Sequence, residues 1–477
     1  MIFETKSLRK REKMRKKQSE SELFDEHYRM LEFAMDRKNP LAAELKAIDK
    51  LLDEMPEVLD LVHADINRSD AKKGRSAVAS AEQILRSAIL MQLRSLHYRQ
   101  LAEEIDANML YRKFTRFYMK KIPHFTRLNG LIKMICPETW EQINAVLLNL
   151  SIKKKVENAK AIRIDTTVAG TDIAYPIDAR LLNDSVRVMN RLLVRLKESA
   201  PSLDFPCHDH TRRSKKRAYQ IAMGKGKNIE ERRRTLYKDL LKVQRTVQGY
   251  AETALLASQS DLAMFNCPEI TALIVELKEI VRLARRVYVQ AYRRVIKGEA
   301  VPANEKLVSI FETHTDIICR GKKGGAAEFG HKIQFATGRS GLVTWYDVLD
   351  GNPGDNEGLL DAVDHHIETF GYAPGQVTAD RRYYSRDNEE KARLRGVERV
   401  ALPKPGYLNE ARRRLQKTPW FKRLMRWRNG IEGCLSTLLR GGMKRCLWKG
   451  WRSFKSFIGL NVLAYNLRLL ACHLCPG

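Results

Sequence analysis

The chain has 477 residues, a length that suits two to four domains, and 44% of them are hydrophobic, ample for folded cores. Its formal charge of +29 points to a polyanion partner, nucleic acid first and an acidic membrane surface as the competing reading. No window of about 18 apolar residues stands out, so no membrane span is expected. The basic N-terminus lacks a following apolar segment, so no secretory signal is expected either. Eight scattered cysteines fit a reducing cytosol.

Residues 1–75 are charged and helical in pattern. Their run Lys6 to Lys17 reads either as a nucleic-acid arm or as a solvated helix face. Residues 76–155 are expected to form an all-α DNA-binding domain of short helices. Ile84, Ala88 and Met91 share one face of the first helix. Leu96 to Ile105 reads as a second, and Pro123-His-Phe-Thr126 breaks the chain before a third over Leu128 to Ile135. Arg112, Lys113, Arg116, Lys120 and Lys121 lie between these helices, as in a helix-turn-helix reader, although a plain helical domain with basic loops has the same pattern.

Ala161-Ile-Arg-Ile-Asp-Thr-Thr-Val168 reads as a short, mostly buried strand leading to Asp165. A carboxylate at the end of a buried strand is costly unless paired, and a divalent metal would be one such partner; a turn-capping Asp is the plain alternative. A loop from Asp172 to Asp178 follows. Residues 182–299 are then expected to form a helical, coiled-coil-like insertion. Three stripes alternate steps of four and three: Leu182 to Leu196, Leu236 to Ala254 and Leu273 to Ala291. Between them, Thr211 to Arg234 is basic and expected to be mobile, with no chemistry of its own. Cys207-His-Asp-His210 and the pair Cys472 and Cys475 lack the second pair of a zinc site, so free thiols and surface histidines are the better reading.

Strands are expected at Leu307 to Phe311, Gly330 to Ala336 and Leu342 to Leu349. The last two are joined as a hairpin through Gly338-Arg-Ser-Gly341. Leu359, Leu360, Val363 and Ile367 mark a helix. Gln376-Val-Thr-Ala-Asp380 is a second strand ending in an aspartate. A short helix at Asn388 to Leu394 and a strand at Glu398 to Leu402 follow. The final helices are Trp427 to Leu439, carrying Glu432, and Phe457 to Cys472. With the insertion set aside, this is the element order of an RNase H-like α/β fold with a mixed sheet, split between residues 156–181 and 300–477. Arg381 to Lys455 concentrates the charge, with 22 Lys and Arg against 6 Asp and Glu, a net +16.

Several stretches, taken in order, resemble the DDE transposases of bacterial insertion sequences. Leu96-His-Tyr-Arg-Gln-Leu is similar to the family's N-terminal helical domain. Ile164-Asp-Thr-Thr-Val168 with Tyr175-Pro-Ile-Asp-Ala-Arg-Leu-Leu182 resembles the first catalytic stretch. Arg320-Gly-Lys and Glu328-Phe-Gly-His-Lys332 resemble the segment before the central strands. Val377-Thr-Ala-Asp-Arg-Arg-Tyr-Tyr384 and Arg428-Asn-Gly-Ile-Glu-Gly433 resemble the second and third catalytic stretches. Asp380 and Glu432 are 52 residues apart; Asp165 and Asp380 are 215 apart because of the insertion.

The resemblance implies a metal-dependent enzyme. Asp165, Asp380 and Glu432 would be its catalytic acids and the ligands of two Mg²⁺ ions, for which Mn²⁺ can substitute. Arg381, Arg382, Arg428, Lys444 and Arg445 would contact DNA phosphates. The partners implied are double-stranded DNA, as the element's terminal inverted repeats and as target, and further copies of the chain on that DNA. Two features depart from the family pattern. Where relatives often place a lysine two turns after the glutamate, this chain has Leu439 and Arg440, then Lys444 and Arg445. The basic loop before Glu432 has Trp420 and Trp427 but no tyrosine at the spacing some relatives use. A catalytically inactive DNA-binding regulator derived from such an enzyme, and a basic coiled-coil scaffold, are the alternatives. The intact acid set argues against the first and the strand-helix alternation after residue 300 against the second.

Overall fold

A computed structural model of the protein describes residues 40–67, 79–225, 228–259, 267–319 and 327–475. The run Lys6 to Lys17 and the Arg320-Gly-Lys stretch lie outside the described residues. The chain divides into two units, one built from residues up to 170 and from 331 onward, the other from residues 171–330.

The strands are β1 (Ala161–Thr171), β2 (Asp316–Ile318), β3 (Glu328–Thr337), β4 (Val343–Val348), β5 (Gln376–Ala379), β6 (Arg399–Ala401) and β7 (Arg445–Cys446). In the first unit the sheet runs β4-β3-β1-β5-β6, with β7 also paired to β1. β3 and β4 form the expected antiparallel hairpin, with Ile333 opposite Val348 and Ala336 opposite Trp345. Its turn closes where the Gly338 N–H donates to the Leu342 carbonyl at 3.0 Å. Gly341 there has φ +88°, a conformation that side chains other than glycine's rarely adopt. β1, β5 and β6 run parallel, with Ile162 beside Val377 and Val377 beside Val400.

Parallel strands need cover on both faces. On one face Ile162, Ile164, Val377 and Val400 are fully buried with Leu359, Ala362 and Val363 of the helix Leu359–Phe370 and Ala392 of the helix Arg386–Leu394. On the other, Ile333, Phe335 and Val343 join a larger core with the helices Pro137–Lys153 and Trp451–Leu474. That core also takes in Ile84, Leu85 and Ile89 of the helix Ala81–Leu93, and Leu128 and Ile132 of the helix Phe125–Ile132. The helices of residues 79–153 therefore share one core with the hairpin and the C-terminal helix, rather than enclosing a separate one. An apolar stripe on each short helix is too narrow to make its own interior, and the C-terminal helix supplies the missing face.

The helix Trp451–Leu474 corrects one sequence expectation, since it is long and apolar enough by length and composition to cross a membrane. Leu460, Leu463, Leu467 and Leu470 are all at 0% exposure inside the first unit. An all-round apolar helix buried in this way is a core helix of a large domain.

The second unit is a bundle of the helices Asp178–Ser199, Thr211–Met223, Ile229–Gln259 and Pro268–Ala291. Leu182, Val186, Met189, Leu193 and Leu196 of the first stripe are buried, as are Leu273, Leu277, Ile280, Ala284, Val287 and Ala291 of the third. In the second stripe Leu240, Val243, Val247 and Ala254 are buried, while Leu236 and Tyr250 pack partly buried at its margin. Two expectations fail here. Within the stretch expected to be mobile, Thr211–Met223 is a regular helix anchored on the bundle by the buried Ser214 and Ile221, and from Ile229 the chain is already in the next helix. Leu307 to Phe311 is apolar but is not a strand. Gln290 bonds both the N–H and the carbonyl of Leu307, and Leu307 and Ile310 finish the bundle core, so this backbone needs no sheet partner.

Candidate active site

The site begins with register. The parallel ladder of β1 and β5 pairs Ala161 with Gln376 and ends at Ile164 with Ala379. The next residue on each strand is an acid, Asp165 and Asp380. Neighbouring strands lie about 4.8 Å apart, so this register brings the two carboxylates to one sheet edge. Past that point the chains separate. β1 does not end at Asp165, as its sequence suggests, but continues to Thr171, with the Gly170 N–H bonded to the Lys444 carbonyl beside β7. β5 ends at Ala379, and Asp380 caps a 3₁₀ turn over Arg381–Tyr383 by accepting the Arg381 N–H.

Glu432 arrives from elsewhere in the chain. The expected single helix from Trp427 to Leu439 is two helices, Pro419–Asn429 and Ile431–Leu438, and Glu432 lies in the first turn of the second. Arg163 sits against the break. Its Nη1 donates to the Trp427 carbonyl at 2.7 Å, and its Nε to Thr337 Oγ1 at 2.8 Å. A Cβ on Gly430 would meet Arg163 Nη1 at 2.6 Å, so only glycine fits there without displacing the guanidinium.

One guanidinium touches all three acids. Arg428 Nη2 lies 2.9 Å from Asp165 Oδ2 and 3.7 Å from Asp380 Oδ2, and Nη1 lies 3.9 Å from Glu432 Oε1. The Arg428 side chain is 12% exposed, Asp165 17%, Asp380 39% and Glu432 73%, so the group runs from the interior outward. Asp165 Oδ1 also accepts the Thr166 N–H at 2.8 Å. Burial raises the Asp165 carboxyl above its ordinary value of 3.8; Arg428 and the Thr166 N–H pull it down, and the charges of Asp380 and Glu432 push it up. The site is short of positive charge.

That shortage, with carboxylate oxygens as the donors, fits a hard divalent cation. Among the described residues no group of three or more His, Cys, Asp or Glu stands close enough to form a ready metal cage, and the Arg428 guanidinium lies where the acids converge.

Of the cations read from the sequence as DNA contacts, Arg381, Arg382, Lys444 and Arg445 are exposed, and Arg382 lies 3.6 Å from Asp355. Arg428 differs, with its guanidinium turned onto the acids. In the N-terminal helices, Arg116 pairs with Asp49, Asp53 and Glu82, and Arg112 bonds Asp106 and the Tyr118 carbonyl. Those two hold structure together.

Sequence reasoning missed Tyr383. Its ring is buried at 1% exposure, and its hydroxyl lies 2.5 Å from Thr166 Oγ1, tying the residue after Asp165 to the turn that Asp380 caps. The second threonine-aspartate neighbourhood held no signal for that bond. Arg163 did carry one, since a charge between two buried isoleucines must find partners.

Two family models match the chain. The Transposase DDE domain spans residues 306–467, including Asp380, Arg428 and Glu432, and the Transposase domain (DUF772) spans residues 33–133. Asp165 lies outside both spans and joins the set through the β1–β5 register. No curated protein and no solved structure matches the chain.

Proposed function

This chain belongs to the DDE transposases of insertion sequences, and from that membership we propose that it cuts DNA at the ends of a mobile element and joins the freed ends to target DNA. The observation that carries the reading is the convergence of Asp165, Asp380 and Glu432 on Arg428. The strand order β4-β3-β1-β5-β6 supports an RNase H-like core, with antiparallel strands on one side of β1 and parallel strands on the other.

In cleavage, water attacks phosphorus at the element end, the P–O3′ bond breaks, and a 3′ hydroxyl leaves. In joining, that hydroxyl attacks a target phosphodiester, and the target's own 3′ oxygen leaves. Asp165, Asp380 and Glu432 would hold two divalent ions, Mg²⁺ or in its place Mn²⁺. Bound there, the ions supply charge stabilisation to the attacking and leaving oxygens. Arg381, Arg382, Lys444 and Arg445 are exposed near the chain positions of the acids and hold phosphates. Tyr383 and Thr166 keep the Asp165 and Asp380 segments at fixed separation. Cutting and joining at paired ends calls for more than one copy of the chain on the DNA.

The test is Asp165→Asn, which keeps the shape and removes the charge. It should abolish Mg²⁺-dependent cleavage and joining of end-containing DNA while gel-shift affinity stays unchanged or rises slightly, since a charge repelling phosphate is gone. Cleavage at near wild-type rate removes Asp165 from the catalytic set. A wild-type protein that binds ends but cuts with neither Mg²⁺ nor Mn²⁺ is instead an inactive, transposase-derived regulator.

A further inference from the structure

The helix Thr211–Met223 in the second unit carries five Lys and Arg and no acid. Its inner side is Ser214 and Ile221, both buried. The cations divide into two sets. Arg213 and Arg217 are both paired to Asp239, with Arg217 Nε at 2.6 Å. Arg212, Lys215 and Lys216 are exposed and have no carboxylate partner among the described residues. At spacings of three and four they share one helical face with Tyr219, which is 65% exposed.

This face is unfavourable for the helix that bears it. Arg212 lies in the first turn, where the helix dipole disfavours cations. Arg212 and Lys216 are a like-charge pair four residues apart. The equivalent strain between Arg213 and Arg217 is relieved by Asp239, while the outer face has no such relief within the described chain. An anion from outside the chain fits it.

We propose that the face Arg212, Lys215, Lys216 and Tyr219 binds the phosphate backbone of duplex DNA, independently of sequence, as a contact additional to the catalytic unit. The proposal rests on the DNA-processing reading above. The three cations span about 6 Å of helix axis, and successive phosphates on one DNA strand advance about 3.4 Å along the duplex axis, so three phosphates can be engaged at once. Tyr219 adds a hydroxyl donor for a phosphate oxygen. An acidic protein would need carboxylates matched to this spacing, whereas duplex DNA presents its charge continuously.

The experiment uses the full chain and a random-sequence duplex, with binding measured by fluorescence anisotropy across a salt series. The variant Arg212→Gln with Lys215→Gln and Lys216→Gln should lower the slope of log affinity against log salt by about 2–3, at about 0.9 per lost phosphate contact. At fixed low salt its Kd should rise at least about tenfold. Because the variant could fold poorly, wild-type protein is also acetylated with and without the duplex; DNA should protect Lys215 and Lys216. An unchanged slope in a variant with a wild-type circular dichroism spectrum, or equal acetylation with and without DNA, overturns the proposal. Wild-type protein that fails to bind the duplex even at low salt overturns the DNA reading on which it rests.

Discussion

Replacing Arg428 with alanine is the sharpest probe of the acid cluster. The 2.9 and 3.7 Å contacts to one Nη2 atom place the Asp165 and Asp380 oxygens no more than about 6.6 Å apart. At an effective dielectric of about 20, two unit charges at that distance repel by at least about 2.5 kcal/mol. Arg428 offsets this repulsion. Glu432 adds little because it is mostly exposed and screened. Arg428→Ala should therefore destabilise the metal-free protein by about 2–4 kcal/mol, near the range for breaking a buried ion pair. In a thermal melt in EDTA this is a fall of roughly 3–6 °C for a unit of this size.

Guanidinium and divalent cation compete for the same oxygens, so Mn²⁺ should raise the melting temperature of Arg428→Ala by more than it raises that of wild type. Adding Asp165→Asn to the variant removes the repulsion and should restore much of the lost stability, a coupling that a double-mutant cycle measures. Because the guanidinium faces the acids, Arg428→Ala should leave the salt slope of DNA binding unchanged in EDTA, against the sequence expectation of one lost phosphate contact. If the variant melts within about 1 °C of wild type in EDTA and Mn²⁺ raises both equally, the charge argument fails.

Four further outcomes are expected. Tyr383→Phe removes the hydroxyl that meets Thr166 and should lower stability by about 1–2 kcal/mol, with cleavage falling and DNA affinity retained in parallel assays. Gly430→Ala should displace the Arg163 guanidinium and reduce cleavage more than Gly433→Ala, whose Cβ meets nothing within 4 Å. Because the Asp165 carboxyl is raised, its favourable contribution is fully present below its unfolded value and is lost as pH rises through the folded one; metal-free Asp165→Asn should thus gain in melting temperature over wild type as pH rises from about 4 to 7. Leu463→Ala empties a site at 0% exposure in the C-terminal helix and should destabilise by about 2–5 kcal/mol in urea titration.

The parts of the fold legible in the sequence are those that one periodicity decides. The four-three stripes mark bundle helices because a buried face repeats at 3.6 residues whatever packs on it. The β3–β4 hairpin is legible because Gly338 to Gly341 permits few other connections. Leu307 to Phe311 misleads because a short apolar run is equally consistent with a strand or an irregular segment whose backbone is satisfied by side chains, and Gln290 is far away in sequence. The basic stretch from Thr211 has only Ser214 and Ile221 as its buried anchors, too few to register as a stripe. At the site, Asp165, Asp380 and Glu432 each stand out by context. Their mutual placement depends on the β1–β5 register and on Arg428, and neither is encoded locally.

The same charges that make the site costly suit it to exchange one cation for another. Three carboxylates facing one guanidinium leave a formal excess of two negative charges. Burial disfavours the charged form of Asp165, which is why its carboxyl is raised despite a 2.9 Å partner, and the charges of Asp380 and Glu432 push the same way. A fully compensated cluster would be more stable and would have no electrostatic reason to take up a divalent ion. A cluster without Arg428 would bind such an ion more tightly, but in its absence the strands would meet at two unpaired acids. On the proposed reading, Arg428 holds Asp165 and Asp380 near their working separation until ions arrive, and its reach to Glu432 across the break at Gly430 draws in the one acid the sheet does not position. Stability is thereby traded for readiness at a cluster whose charge Arg428 offsets only in part.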